Sequence, residues 1–542
     1  MNKQSNLVIA LAQINPVVGD VVGNAEKIIH WSTLALQDYQ ADVVVFPELT
    51  LTGYPPEDLL FRAQFLQQVE TAIEVLRVNN PGLTIIFGAV AVSDQRLYNS
   101  AVILQKGQES QVYFKHCLPN YGVFDEQRYF QAGKDACVVE VKGVRVGVTV
   151  CEDIWYPEPC RLSVASGAQV IVNLNASPFH ASKHAERIAQ VKKRVDENKV
   201  PVCYVNMVGG QDELVFDGFS FVVDAEQNLQ LMAEGFEESL SVVELDSDHK
   251  LKPVTQSVTE PSLNAQLYQA LVTATRDYVT KNGFKKVVLG LSGGIDSALV
   301  LAIAVDALGA DAVQAIMMPY HYTADISVSD ASEQARMLGV KYSEIPISEP
   351  VSAFMQALES EFKGLERDVT EENLQARSRG VILMAVSNKT GAMLLTTGNK
   401  SEMSVGYATL YGDMAGGFAP IKDVSKLKVY ALANYRNSIS PAIPQRVIDR
   451  PPSAELAPDQ KDEDSLPAYE VLDPILEKYI EQELSVAEII AQGFKEEEVK
   501  RVAWLVDVSE YKRRQSPPGV RVTRKAFGKE RRYPITSGFR RS

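Results

Sequence analysis

Two groups of residues have the types and spacings needed for covalent chemistry. In the first, each of three residues follows an apolar run. Val43-Val-Val-Phe-Pro-Glu48 places a carboxylate, Val112-Tyr-Phe-Lys115 an ammonium, and Val146-Gly-Val-Thr-Val-Cys151 a thiol. A thiol with a pKa near ~8.5 is mostly protonated at neutral pH, so it needs a base and a neighbouring cation to become a nucleophile. Glu48 can take the proton. Lys115 can stabilise the thiolate and the oxyanion of a tetrahedral intermediate. Cys117, Cys137, Cys160 and Cys203 lack this setting and read as buried or neutral thiols. The second group is Ser292-Gly-Gly-Ile-Asp-Ser297, between the apolar run Val287 to Leu291 and an Ala, Leu, Ile and Val segment that ends at Gly309. Strand, glycine turn and helix in that order bring free N–H groups and a helix N-terminus to one point, an anion site. The Gly-Lys-Ser/Thr of a Walker loop is missing.

Holding these groups in place calls for α/β architecture. In the first half, strands are predicted at 7–14, 42–47, 84–90, 99–104, 111–118, 144–150, 169–175, 201–207, 219–224 and 241–245. Helices are predicted at about 23–38, 60–77, 159–166 and 182–199. Strand-end residues of such sheets gather in one crevice. The segment 247–262 is polar, contains Pro253 and Pro261, and reads as a linker between units at 1–246 and 263–542. Beyond it, the spacing of Leu267, Leu271, Ala274 and Tyr278 predicts a helix closed by Gly283. Further strands are predicted at 313–318, 341–347 and 392–397, with helices at about 327–338, 350–362 and 370–388. This alternation predicts a doubly wound parallel sheet with its site at the carboxyl ends of the strands. Thr397 and Glu402 leave one such end, where Thr397 suits a nucleotide and Glu402 a magnesium ion beside its phosphates. The alternative for this stretch is a polar loop that caps a helix.

Bulk properties narrow the class. The net charge of −15 argues against non-specific binding to nucleic acid or an anionic membrane. No run approaches the ~18 apolar residues of a membrane span, and residues 1–14 read as an edge-to-core strand rather than a signal peptide. An odd count of five cysteines without Cys-x-x-Cys spacing suggests neither zinc nor disulfides, and a reducing cytoplasm.

The hexapeptide at 292–297 resembles the pyrophosphate loop of enzymes that split ATP into AMP and pyrophosphate. The resemblance implies that its serines and glycine amides hold pyrophosphate and that Asp296 helps hold magnesium. The first half resembles the nitrilase/amidase superfamily through Pro-Glu-Leu-Thr-Leu-Thr-Gly-Tyr, Lys-x-x-Leu-Pro-Asn-Tyr and Cys-Glu-Asp-Ile-Trp. It implies an αββα sandwich, a Glu48–Lys115–Cys151 triad and a second glutamate, Glu126. It also implies a glutamine site of Tyr121, Ser177 and Lys183. Lys183 and Ser177 lie on a loop after a strand and suit an α-carboxylate, although Lys183 also reads as a solvated helix-start lysine. In the second half, Glu372-Asn-Leu-Gln-Ala-Arg-Ser-Arg379, Thr-Gly-Asn-Lys-Ser-Glu402, Tyr411-Gly-Asp413, Pro420 to Lys426 and Arg450 to Leu456 are similar to NAD synthetases of the PP-loop (adenine-nucleotide alpha-hydrolase) type.

Taken whole, the chain resembles the glutamine-dependent NAD synthetases. That implies ATP as a substrate, Mg2+ as cofactor, adenylation of deamido-NAD, and amidation by ammonia from glutamine. Gly290, Leu291, Ser292, Gly293, Gly294, Ile295, Asp296, Ser297, Thr397, Lys426 and Ser453 would contact ATP. Asn373, Arg377, Glu402 and Lys512 would contact deamido-NAD, and Asp296 and Glu402 the metal. The lysine near Thr409 and the aspartate near Gly417 of ammonia-using relatives are missing. Residues 458–467 read as a flap or a solvated loop, the basic tail as matched to substrate phosphates, and the protein as a homo-oligomer. Two rivals stay open: another glutamine-fed ATP pyrophosphatase, and a nitrilase fused to a nucleotide-binding sensor.

Overall fold

The computed structural model describes residues 6–248, 250–451, 455–457 and 466–539. Its contacts divide the chain into two units, one of residues up to 211 and from 215 to 261, the other of residues 212–214 and from 262 onward.

The first unit holds two sheets. One runs through β1 (Leu7–Gln13), β2 (Val43–Val45), β3 (Thr84–Ser93), β4 (Arg96–Leu104) and β5 (Gln111–Phe114). The other contains β6 (Cys137–Val141), β7 (Val144–Val150), β8 (Val170–Asn175) and β9 (Val202–Asn206). The hairpin β10 (Val208–Gln211) and β11 (Leu214–Asp217) follows, then β12 (Phe221–Val223), β13 (Leu229–Met232), β14 (Ser239–Leu245) and β15 (Leu251–Pro253). The sheet orders are β15-β14-β1-β2-β3-β4-β5 and β13-β12-β9-β8-β7-β6. Pairing is parallel across β1-β2-β3 and β7-β8-β9 and antiparallel at the flanks. Alternate residues explain the sandwich. Leu7, Ile9 and Leu11 of one sheet and Val146, Val148, Val170 and Val172 of the other share a single buried cluster. Helices α1 (Val21–Tyr39) and α2 (Ala63–Val78) cover one outer face, and α3 (Pro157–Ala165) and α4 (Lys183–Asn198) the other.

The second unit opens with α5 (Leu263–Lys281), β16 (Val287–Gly290), α6 (Ile295–Leu308), β17 (Val313–Met317), α7 (Asp325–Leu338) and β18 (Lys341–Glu344). Then come α8 (Ser348–Ala357), α9 (Val369–Thr390), β19 (Met393–Leu395), α10 (Lys400–Val405) and α11 (Lys426–Ile439). The four strands are parallel in the order β18-β17-β16-β19. Chain order reverses direction between β16 and β19, and at that switch point open sheets bind ligands. The region after α11 is helical with its own core around Leu472, Ile475, Ile489, Val502 and Val506. No helix of the described residues is long and apolar enough to cross a membrane.

Several expectations need correction. Residues 251–253, read as linker, form an edge strand on β14, where Leu251 supplies an apolar residue to the core. The strand expected to reach Leu118 stops at Phe114: the Lys115 N–H still reaches the Asn99 carbonyl, but the Asp153 carboxylate takes those of His116 and Cys117. The strand expected over 392–397 is only Met393–Leu395, which leaves Thr396 to Asn399 free to turn toward the switch point. Of the two readings of Lys183, the helix-start one holds: it begins α4 and does not share the loop of Ser177. Strands β6, β10, β11 and β13 were not predicted.

Candidate active sites

In the first unit, the three strand-end residues are brought to one point. Lys115 Nζ lies 2.7 Å from Glu48 Oε1 and 2.9 Å from both carboxylate oxygens of Glu126. The side chains of Lys115 and Glu48 have no solvent exposure, and that of Glu126 has 5%. Each carboxylate has further donors. Asn99 Nδ2 donates to Glu48 at 2.7 Å and to Glu126 at 3.3 Å. The Ala176 N–H donates to Glu48 Oε2 at 3.0 Å, and the Tyr54 hydroxyl to Glu126 at 3.1 Å.

Cys151 sits at the turn from β7 into a 3-10 segment, Cys151–Trp155, with φ of 44°. A left-handed backbone at a residue other than glycine costs about 1–3 kcal/mol and persists only where the surroundings impose it. Asp153 does much of the imposing. Its carboxylate accepts from the Val150, His116 and Cys117 N–H groups and from the Tyr113 hydroxyl, tying the Lys115 strand end to the Cys151 turn.

The charges follow from burial. Burial, then the facing Glu48 carboxylate, push the Cys151 thiol well above its ordinary value, with Lys115 pulling the other way. Burial pushes the Glu126 carboxyl up to about 7, against the pull of Lys115. Burial also disfavours the Lys115 ammonium, but the attraction of Glu126 and Glu48 outweighs it and holds the amine protonated. A protonated thiol beside an acceptor and a fixed cation is set up for proton transfer as a bound acyl group is attacked.

Tyr121, Ser177 and Lys183 ring this centre. The Tyr121 hydroxyl donates to Glu152 at 3.0 Å. Lys183 Nζ lies 4.1 Å from the Trp155 ring centroid and 3.7 Å from Glu186, within electrostatic reach of Cys151. Ser177 is 5% exposed, at the mouth of β8. Sequence reasoning missed Asn99, Asp153 and the supports of Ser177. Asp153 alone had a local signal, in Cys-Glu-Asp-Ile-Trp.

In the second unit, a cavity of about 290 Å³ is walled by Gly290 to Ser297, Thr397, Glu402, Lys426, Arg379 and Asp413, among others. Its floor is the glycine turn. The Ser292 and Ser297 hydroxyls lie 3.1 Å apart, and the Gly294 N–H donates to Ser292 Oγ at 3.2 Å. Gly293 has φ of +80°, and a Cβ there would come within 2.3 Å of the Ser327 carbonyl oxygen, so only glycine fits. Lys426 Nζ lies 2.5 Å from Asp296 Oδ2 and 3.6 Å from Glu402 Oε1. Asn399 Nδ2 donates to Asp296 at 3.0 Å. Glu402 belongs to a reciprocal cap with Asn399, so the capping alternative is realised while the same carboxylate faces the cavity.

Asn373, Arg377 and Lys512 are not on this cavity wall. They converge on the neighbouring 406–410 segment. The Thr409 hydroxyl donates to Asn373, Arg377 Nε donates to the Leu410 carbonyl, and Lys512 Nζ donates to the Gly406 and Ala408 carbonyls. Arg379, which the sequence reading did not select, is a wall cation, pushed down to about 10 by burial. Ser453 and residues 458–465 lie outside the described residues.

The carbon-nitrogen hydrolase family matches residues 8–250, and the NAD synthase family residues 267–516. A glutamine-dependent NAD(+) synthetase of Xylella fastidiosa is 50% identical over 538 residues, 98% of this chain and 99% of that protein. One of Acinetobacter baylyi is 48% identical over 535 residues, 98% of each. The solved glutamine-dependent NAD+ synthetase of Acinetobacter baumannii, in complex with adenosine diphosphate, is 47% identical with a TM-score of 0.80, covering 99% of this chain and 100% of that one. A buried Glu48–Lys115–Glu126 cluster at Cys151 on a nitrilase-type sandwich, a cavity at the switch point of a doubly wound sheet and full-length identity near half agree: this chain belongs to the glutamine-dependent NAD synthetase family.

Proposed function

We infer that this protein is a carbon–nitrogen ligase that makes NAD from deamido-NAD, ATP and glutamine. The observation that carries the reading is the pairing, in one chain, of a buried Glu48–Lys115–Glu126 cluster at Cys151 with a cavity built on Ser292 to Ser297.

In the first unit, Cys151 Sγ attacks the glutamine amide carbon and its proton passes to Glu48. Lys115 steadies the developing oxyanion. Glu48 returns the proton to the departing nitrogen as the intermediate collapses, releasing ammonia and leaving a thioester, which water cleaves to glutamate and the free thiol. Glu126, poised near 7, holds Lys115 in line. Tyr121, Ser177 and Lys183 orient the amino-acid end of the substrate.

In the second unit, the turn's N–H groups and hydroxyls, with Lys426, cradle the ATP phosphates while the nicotinate carboxylate attacks the α-phosphorus. Pyrophosphate leaves, and neutral ammonia displaces AMP from the adenylate. Only neutral ammonia attacks, so an enclosed site that excludes water serves the step. Thr397 lies on the same wall, and Asn373, Arg377 and Lys512 serve the dinucleotide from the adjoining segment.

Asp296 and Glu402 converge on Lys426, and the described residues hold no cluster of three potential metal-binding side chains. That donor set fits magnesium, which takes one or two carboxylates and completes its shell from phosphates and water. When bound, the ion neutralises phosphate charge as pyrophosphate departs. All five thiols are free, in keeping with a cytoplasmic enzyme, and we expect a homo-oligomer, which light scattering measures.

Mass-spectrometric detection of NAD, AMP and glutamate after incubation with ATP, magnesium, deamido-NAD and glutamine tests the reading. Cys151→Ala should lose glutamine-driven synthesis and keep synthesis from ammonium salt. Asp296→Ala should lose both.

A further inference from the structure

Beneath Ser177 lies a buried ion pair that the mechanism does not use. Arg187 and Asp217 are 1% and 0% exposed and bond through Arg187 Nη1 at 2.8 Å to both carboxylate oxygens. Such a pair contributes little to stability against an apolar alternative, because desolvation offsets the attraction. The remaining bonds of Arg187 converge on Ser177 and the residue after it. Arg187 Nε donates to Ser177 Oγ at 3.1 Å, and Nη2 donates to the Ser177 carbonyl at 2.7 Å and the Pro178 carbonyl at 3.1 Å. Asn206 completes the hold. Its Oδ1 accepts from the Ser177 N–H at 2.9 Å, and its Nδ2 donates to the Ser177 carbonyl at 3.3 Å.

A guanidinium only donates, so Ser177 Oγ must be the acceptor in that bond. The serine N–H, carbonyl and one oxygen lone pair are all engaged, which leaves its hydroxyl proton as the donor available to a ligand. The buried Tyr204 hydroxyl borders Ser177 and has no other partner among the described residues, so it is the neighbouring acceptor with which a ligand competes for that proton. Lys183, one helical turn before Arg187 on α4, adds a cation on the same side.

We propose that Arg187, fixed by Asp217, is a positioning residue for glutamine recognition, locking Ser177 so that its hydroxyl donates to the substrate's α-carboxylate beside Lys183. This rests on the glutaminase reading above. Arg187 touches neither thiol nor scissile amide in this scheme, so it governs substrate affinity rather than the chemical step.

The test is glutaminase kinetics on the full chain for Arg187→Lys, Ser177→Ala and the double variant, with ammonium-driven synthesis reporting a folded chain. Each single variant should raise the KM for glutamine by roughly tenfold or more, as expected for a lost hydrogen bond to a charged group. The change in kcat should stay within about threefold, in contrast to a lost transition-state contact. The double variant should be no worse than Ser177→Ala, because lysine can no longer act through the missing hydroxyl. Multiplying KM effects, or a fall in kcat at constant KM, would overturn the proposal. If Arg187→Lys does not fold, Asp217→Asn decides by the same KM criterion in the two serine backgrounds. A wild-type chain that hydrolyses no glutamine would instead sink the underlying reading.

Discussion

Glu126 shows how one residue links burial to pH. Its carboxyl is raised to about 7 in the folded chain, chiefly by burial. The unfolded value is near ~4.3. A raised acid binds its proton more tightly in the folded state, so its contribution to stability is fully present below the unfolded value and is lost as pH rises toward 7. Denaturant unfolding of wild type and Glu126→Gln from pH 5 to 8 should show the wild type losing ground with rising pH. A pH-independent difference would deny the coupling. Lys115→Met should be harsher, since it leaves two carboxylates buried without their cation. Loss of a partner from such a cluster costs about 3–5 kcal/mol. Glu48, Lys115 and Cys151 were legible in the sequence because each closes an apolar run with a residue that a strand end seldom needs. Asn99 was not, since an asparagine inside a strand has no chemical signature until the fold brings two carboxylates to it.

Among the elements, the turns carry the sites, and glycine lets them close. A Cβ on Gly88 of β3 would lie 2.0 Å from the Leu49 nitrogen and 2.5 Å from the Glu48 carbonyl carbon. Gly88→Ala should therefore displace Glu48, and a misplacement of about 1 Å can cost ~10²-fold in rate. Glutamine-driven synthesis should fall by that order while ammonium-driven synthesis persists. Equal loss of both would point to unfolding instead. Gly293→Ala should do the reverse damage, pushing the phosphate turn off Ser327 and reducing both routes together. Long apolar strands and the helices after them were readable from periodicity, as at β7, β8 and α6. Strand ends were not. Where Asp153 takes up the His116 and Cys117 N–H groups, a contact distant in sequence decides that β5 stops early.

At the scale of the whole molecule, the first unit packs two sheets around one buried cluster, and the second has its own sheet and its own clusters. Two cores predict two unfolding transitions rather than one. ATP with magnesium should raise only the transition of the second unit, by an amount equivalent to about 2.7 kcal/mol at a hundredfold excess over Kd. Calorimetry of wild type and Asp296→Ala, with and without ATP, checks this; a shift in both transitions would show that the units unfold together. The α/β class of both halves was legible because strand and helix periodicities alternate. The sandwich came only with the resemblance, since face-to-face packing of two sheets leaves no mark on spacing. The residues proposed for the dinucleotide, Asn373, Arg377 and Lys512, were the least legible, because no strand end singles them out and part of their hydrogen bonding goes to the Thr409 hydroxyl or to backbone carbonyls.

Peroxide and haloacetamides are attacked by a cysteine sulfur in its anionic form. A sulfur held as SH by enclosure and an opposing carboxylate, as at Cys151, offers them little of that form before glutamine docks. Iodoacetamide labelling of the substrate-free chain should therefore be slow at Cys151, which mass spectrometry of the labelled peptides checks.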